Sequence, residues 1–384
     1  MTPDRDLGNS ARRPLLTIDL SAVADNVRLF AARTDAAVMG VVKADGFGHG
    51  AADAARTVLM NGATWLGVTS IDEGLALREA GLDAPMLSWL NSVGADFGAA
   101  VAAEIDLAVP SLQHLDAVVR AATRTPPRRA RIHLHLDVGM ARDGAVPAEW
   151  PRLCQAARTA ERRGVLEVVG VMGHLGCADV PDDPCNEAGR ARFEWGLETA
   201  HMAGLRPGLR HLAATSATLT DPRTHHNMCR IGAGLFGIDP SRTVRLHPAL
   251  TLTAPIVTVR PARAGASVGY GHACSLAADT TLGLLPVGYA DGLPRVASGH
   301  AQVMVRGQRR PLAGLISMDQ TVIDLGGEQV QAGETAIVFG PGRAGEPTVA
   351  DWAAWAGTIE HEIVTGLGTR VHRQVRSASP EGVR

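Results

Sequence analysis

Of the 37 lysine and arginine side chains in this sequence, Lys43 is the sole lysine and the other 36 are arginines. Only lysine carries a primary amine that can lose its proton and attack a carbonyl to form an imine; a guanidinium stays protonated and delocalised. A single lysine kept in that background points to amine chemistry, most simply a Schiff base. Its surroundings agree. Val38-Met39-Gly40-Val41-Val42 is an apolar run of the kind that forms a buried parallel strand. Gly46, Gly48 and Gly50 follow, where the backbone turns tightly or approaches a ligand. Tyrosine is almost as scarce, the only two being Tyr270 in Gly269-Tyr270-Gly271 and Tyr289 in Gly288-Tyr289-Ala290-Asp291-Gly292. A free phenol, with a pKa of about 10, is a poor base at neutral pH. A cationic arginine beside it would ease its ionisation, so Tyr270 near Arg142 makes chemical sense.

These residues must be positioned by secondary structure, and the sequence says how. Leu15–Leu20 reads as a short strand, with Ser21 capping the helix that follows. Eight apolar, strand-like runs then end near Lys43, Thr69, Leu90, Val109, Asp137, His174, Ala214 and Ile231. Amphipathic stretches such as Ile71–Ala80, Leu112–Ala122, Pro151–Arg163 and Ala188–Met202 separate them. Regular alternation of this length predicts an α/β fold, a (β/α)8 barrel over residues 14–245. Function in such a barrel gathers at the carboxyl ends of the strands. There the first run presents Lys43, the fifth Gly139-Met140-Ala141-Arg142, the sixth His174, the seventh Thr215-Ser216, and the eighth Arg230 followed by Gly232-Ala233-Gly234. That set suits an imine-forming, phosphate-bearing aldehyde: Ser216 and the amides near Gly232 for the phosphate, an arginine for a ring nitrogen. Each residue alone has a plainer reading. His174 could be a core histidine, the arginines ion-pair partners, Ser216 a helix cap. Their convergence on one face carries the argument.

After Arg245-Leu246-His247-Pro248 the texture changes to β-branched runs separated by turns: Thr251–Val259, Thr281–Val287, Ala301–Val305, Thr321–Leu325 and Ala336–Phe339, with one helix at Val349–Ala356. Residues 246–376 are therefore expected to form a mostly β second domain. The ends, residues 1–13 and from about Ser377, read as frayed. Hydrophobic content of 46%, charged content of 20% and a formal net charge of −2 describe an ordinary globular chain without a basic face, which excludes nucleic acid as the expected partner. The first residues have no apolar signal core and no apolar run is long enough to cross a bilayer, so the expected compartment is the cytoplasm, without membrane contact. Five scattered cysteines (Cys154, Cys177, Cys185, Cys229, Cys274) show no CxxC pair or other metal spacing. They read as reduced thiols, and no metal is expected.

The motifs VVKADGFGHG, LDVGMARDG, GHLGCAD, ATSAT, RIGAGLFGIDP, VGYGHA, LPVGYADGLPR, ISMDQ and TIEHEIVTGLGTRVHR, in that order from about Leu16 to Arg373, resemble the alanine racemase family, fold-type III enzymes dependent on pyridoxal 5'-phosphate. The resemblance implies that Lys43 holds the cofactor, that Arg230 contacts the pyridine nitrogen, and that Ser216, Gly232 and Ala233 bind phosphate. His174 then lies behind Tyr270, with Arg142 near it. Tyr270, Met318 and Asp319 would reach into the active site of the other subunit of a head-to-tail homodimer, with Tyr289 at its mouth. Lys43 and Tyr270 would serve as opposed bases in a racemase for alanine; serine or another small amino acid, or a non-catalytic carrier of the cofactor, are the alternatives. Two positions depart from the pattern. Phe47 stands where a phosphate-binding tyrosine is usual, and His135 where many members carry a lysine, often carbamylated, that positions the arginine of the next loop. Arg142 is accordingly expected to be positioned by other means, such as His135, a bound anion or water.

Overall fold

The computed structural model describes residues 13–125 and 128–377. Apart from Arg13 and Ser377, the ends expected to fray lie outside those residues. The chain divides into two compact units: Val23–Leu246, and a unit joining the stretch up to Ala22 with that from His247 on.

In the first unit eight parallel strands form one sheet: β2 (Ala37–Val41), β3 (Ala63–Val68), β4 (Met86–Ser88), β5 (Ile105–Val109), β6 (Ala130–His135), β7 (Leu166–Met172), β8 (Leu209–His211) and β9 (Met228–Ile231). Neighbours follow chain order from β2 to β8, and β9 returns to pair with β2. The remaining seam is closed by the bridge between Ala214 and Arg230, whose amide donates to Ala213 O at 3.0 Å. All five residues of β5 are buried, as expected of strands covered on both faces. The helix Leu112–Thr123 shows why the intervening stretches fold as they do. Ser111 Oγ accepts from the His114 amide at 3.3 Å, and Leu115, Val118 and Ala122, at helical spacing, are buried.

In the second unit β1 (Leu15–Asp19) pairs antiparallel with β10 (Leu250–Pro255) and parallel with β19 (His372–Arg376). Residues 14–22, expected with the barrel, thus belong here, because their ladder partners come from the far end of the chain. These strands join β15 (Gln302–Val305), β16 (Gln308–Pro311) and β18 (Thr335–Phe339) in a six-stranded sheet of order β16-β15-β18-β10-β1-β19. β11 (Thr258–Ala262), β14 (Thr280–Leu285) and β17 (Thr321–Gly326) form a three-stranded sheet, and β12 (Ser267–Val268) pairs with β13 (Cys274–Ser275).

Three expectations need correction. The run Thr251–Val259 is two strands in different sheets: the Ile256 amide donates to Glu334 O at 2.7 Å and the Val257 amide to Leu284 O at 2.8 Å, so the chain crosses between sheets there. An unbroken β-branched run hides such a switch. Ser21 does not cap the first helix; Asp19 Oδ1 accepts from the Ser21 and Ala22 amides at 2.9 and 3.3 Å. Val349–Ala356 is helical as expected, but Glu360–Thr365 forms a second short helix beside it in sequence.

Candidate active site

Lys43 follows β2 at the barrel's carboxyl-end face and opens a turn in which Ala44, Asp45, Gly46 and Phe47 all take φ between 52° and 61°. Left-handed backbone costs a non-glycine residue about 1–2 kcal/mol, so three such residues store strain that the surroundings must hold. They do. Gly46 N donates to Val42 O at 2.8 Å, Gly50 N to Asp45 O at 2.8 Å, and Ala51 N to Asp45 Oδ1 at 2.9 Å. Glu73 ties the turn to the next strand, accepting from Ala44 N through Oε1 and from Thr69 N through Oε2, both at 2.7 Å. Burial, and then the charge of Arg142, push the Lys43 amine below the ordinary lysine range, opposed by Glu73.

Arg230 is buried in β9 and donates throughout the barrel core. Nη1 donates to His211 O at 2.7 Å and lies 3.1 Å from His211 Nδ1. Nη2 donates to Gly173 O at 2.7 Å and lies 3.2 Å from His174 Nδ1. The four Nη hydrogens are thereby committed, and Nε has no hydrogen-bond partner among the described residues. Burial lowers the guanidinium to about 10, which still leaves it cationic at neutral pH. Burial, reinforced by Arg230 and Arg142, lowers His174 to about 3. Since a guanidinium only donates, His174 Nδ1 must be a lone pair, and its proton sits on Nε2.

Arg142 is exposed on the loop after β6, yet its charge reaches both Lys43 and His174. The loop is held at both ends. Asp137 Oδ1 accepts from the amides of Gly139, Met140 and Ala141 at 2.8, 3.0 and 3.2 Å. Ala145 N donates to His135 O at 2.8 Å. Beside Arg142, Asp143 Oδ2 lies 3.5 Å from the buried Nδ1 of His135. Burial pushes the Asp143 carboxyl up, but His135 and the Gly144 amide outweigh it and hold the group below its usual range. His135 therefore meets the neighbour of Arg142. Ser216 is buried inside the helix Thr215–Thr220 and caps nothing; the N-cap there is Ala214, without a side-chain bond. Gly232 likewise starts the turn Ala233–Phe236 without a side-chain cap. The second residue of that turn is tied to the first helix, the Gly234 amide donating to Thr215 Oγ1 at 3.2 Å.

In the second unit Tyr270 sits between Gly269 and Gly271, with φ of 74° and 67°, and is 68% exposed. Tyr289 and Met318 are packed as one piece. Tyr289 N donates to Ser317 O at 3.0 Å and Ala290 N to Met318 O at 2.9 Å. The approach needs Gly288, since a Cβ there would lie 2.3 Å from Ser317 O. Asp319 Oδ1 pairs with Arg370 Nη1 at 2.7 Å, and Arg370 also reaches the buried Asp291 at 3.3 Å. Tyr289 and Met318 are exposed, 41% and 53%.

Sequence reasoning missed Glu73, His211, His133 and Asp106, which support Lys43 and Arg230. One signal was present: in Arg131-Ile132-His133-Leu134-His135 polar residues alternate with apolar ones, placing both histidines on one face of β6. The five cysteines are free. Ligand atoms of Cys177, Asp183 and Cys185 lie within 4.8 Å of one another, brought together by a loop that has no metal-site spacing in sequence.

An eight-stranded barrel with a lysine after its first strand and a buried arginine in its last, joined in sequence to a mostly β unit, defines a class of two-domain barrel enzyme. Models of the alanine racemase N-terminal domain and the alanine racemase C-terminal domain match residues 18–240 and 249–375. The chain belongs to the alanine racemase family. It is 45% identical to the alanine racemase of Frankia casuarinae, over 94% of this chain and 96% of the relative, and 46% identical to that of Thermobifida fusca, over 93% and 96%. Among solved structures, the alanine racemase of Streptomyces coelicolor superposes with a TM-score of 0.93 at 43% identity, covering 96% of this chain and 99% of that one. The alanine racemase of D-cycloserine-producing Streptomyces lavendulae gives 0.92 at 40%, covering 98% of each.

Proposed function

We propose that this protein interconverts L- and D-alanine with pyridoxal 5'-phosphate as cofactor, using Lys43 and Tyr270 as bases on opposite faces of the substrate. The observation that carries the reading is the single lysine amine, desolvated at the end of the first barrel strand and held below its ordinary proton affinity. The residues fit the cofactor. Arg230 Nε is the guanidinium nitrogen without a partner among the described residues, as a ring-nitrogen contact needs. Ser216, Gly232 and Ala233 lie at the start of two turns whose N-cap residues, Ala214 and Gly232, make no side-chain cap bond, which leaves room there for a phosphate. Phe47, buried against Phe236 at 5.3 Å, offers carbon only, so the phosphate relies on those turns.

Bound pyridoxal phosphate supplies the electron sink that makes a Cα proton removable. Lys43 Nζ takes or returns that proton on one face, and its lowered proton affinity keeps a larger neutral fraction ready at neutral pH. Arg230, cationic and without a proton to spare, keeps the ring nitrogen unprotonated and so limits side reactions. His174, neutral with its hydrogen on Nε2, donates toward the second base without competing for the proton. Arg142 and Asp319 contribute charge at the substrate, and Met318 and Tyr289 narrow its approach. Tyr270 acts from a second copy of the chain in a head-to-tail homodimer. What supports this is the exposure of Tyr270 and Met318, apolar surface that a lone subunit leaves in water. Among the described residues no helix is long and apolar enough to cross a membrane. We place the protein in the cytoplasm on its five free thiols. The test is wash-in of deuterium at Cα of L-alanine with a chirality assay. Wild-type protein exchanges and inverts, and Lys43→Ala does neither. Exchange persisting in the variant, or absent from the wild type with alanine but present with another amino acid, would overturn the assignment.

A further inference from the structure

A line of polar side chains runs through the barrel core behind Arg230. Arg230 Nη1 lies 3.1 Å from His211 Nδ1, His211 Nε2 lies 2.8 Å from His133 Nδ1, and His133 Nε2 lies 3.2 Å from Asp106 Oδ2. His133 and His211 are fully buried and Asp106 is 3% exposed. Asp106 is the second residue of β5, far down the strand from the carboxyl-end face, and there it accepts from Arg131 Nε at 2.9 Å. We propose that Asp106 and His133 are positioning residues for Arg230, acting through His211 by fixing which of its ring nitrogens carries the proton.

The direction of every bond follows from Arg230 alone. A guanidinium has no lone pair to offer, so the His211 nitrogen facing it, Nδ1, must be bare. A neutral imidazole with Nδ1 bare carries its hydrogen on Nε2, which then points at His133 Nδ1. That nitrogen must be bare in turn, so His133 carries its hydrogen on Nε2 and donates to Asp106. Protonating either ring at both nitrogens would bring two donors together in the buried core, where a group without a partner costs about 1–3 kcal/mol. Burial, first of its causes, likewise holds His211 well below the ordinary histidine range. All the N–H bonds therefore point away from the active face, toward the carboxylate of Asp106. Room for this arrangement is specific to one neighbour: a Cβ on Gly170 would lie 2.2 Å from His133 Nδ1. Remove the acceptor at residue 133 and His211 Nε2–H loses its partner. The ring then turns, and Arg230 loses one of the bonds that aim Nε outward.

The test has two arms, of which only the kinetic one rests on the racemase reading. In the first, nitrogen-15 NMR of histidine-labelled holoenzyme reports the imidazole protons directly, with peaks assigned by loss in His133→Asn. The expected result at neutral pH is Nε2–H with bare Nδ1 on both His133 and His211. A proton on Nδ1 of either ring, or on both nitrogens, overturns the proposal. In the second arm, His133→Asn keeps an acceptor for His211 where Nδ1 stood, whereas His133→Phe keeps none. Loss of one buried bond at Arg230 is expected to lower kcat about tenfold or more in His133→Phe with KM nearly unchanged. His133→Asn is expected to retain most of the wild-type kcat. Equal loss in the two variants, or a change confined to KM, refutes a positioning role.

Discussion

Acidification should destabilise this protein through His174, by an amount the structure sets. The group titrates near 6.5 when unfolded and is lowered to about 3 in the fold. Its contribution to stability is complete above the unfolded pKa and is lost as pH falls through the folded one, because only the unfolded chain takes up the proton in between. Between pH 7.5 and pH 5.0 the loss is about 2 kcal/mol. For a unit of this size that corresponds to roughly 4–8 °C in Tm. His211, also lowered, adds in the same direction. The carboxyls of Asp143 and Asp221, lowered in the fold, add loss of their own only as pH falls below about 5 toward their unfolded values. A bare pH series would therefore confound them, and the comparison has to be with His174→Asn. Asparagine cannot titrate there, while its Oδ1 can still accept from Arg230 Nη2. Denaturant unfolding of the two holoenzymes at both pH values should show the acid-induced drop smaller in the variant by about 2 kcal/mol. Equal drops would mean that His174 is not held neutral, and the assignment of its proton to Nε2 would fall with it.

Lys43 is the only lysine, so an amine-reactive reagent read by mass spectrometry titrates one side chain in the apoenzyme. Its labelling midpoint should lie below that of free lysine, and Glu73→Gln, which removes the carboxylate opposing that shift, should move it lower still; a higher midpoint would contradict the geometry. If Tyr270 serves the neighbouring copy, then Lys43→Ala and Tyr270→Phe chains, each inactive, regain activity when mixed and allowed to exchange. About a quarter of the sites in a random mixture of dimers are intact, so recovery near that level is expected and none at all would place both bases in one chain. The ring of Phe47 points its Cζ at Gly232, 3.0 Å from where a Cβ would stand. Phe47→Tyr should add a hydroxyl beside the phosphate turn and tighten cofactor binding several-fold, by roughly 1 kcal/mol, in an equilibrium dialysis measurement; unchanged affinity would put the phosphate elsewhere.

Where the sequence was informative, and where it was silent, follows from the range of the interactions involved. Lys43 stood out because it is chemically unlike every other cation in the chain, and the barrel because each strand and helix is specified by apolar spacing within a few residues of itself. β1 was misplaced because nothing near Leu15 tells it that its partners are residues 250–253 and 372–376; that ladder exists only once both ends of the chain have met. The supports of the site fail to show for the same reason. Asp106, His133, His211 and Arg230 come from four strands and are separated by up to 78 residues between bonded neighbours, yet each is a polar residue inside an apolar run, where burial without a partner is costly. The informative pattern was therefore not a motif but an exception within each strand. An inward-facing histidine or aspartate in a barrel strand implies a partner on another strand, and one cationic end that can only donate is enough to order the protons along the whole line.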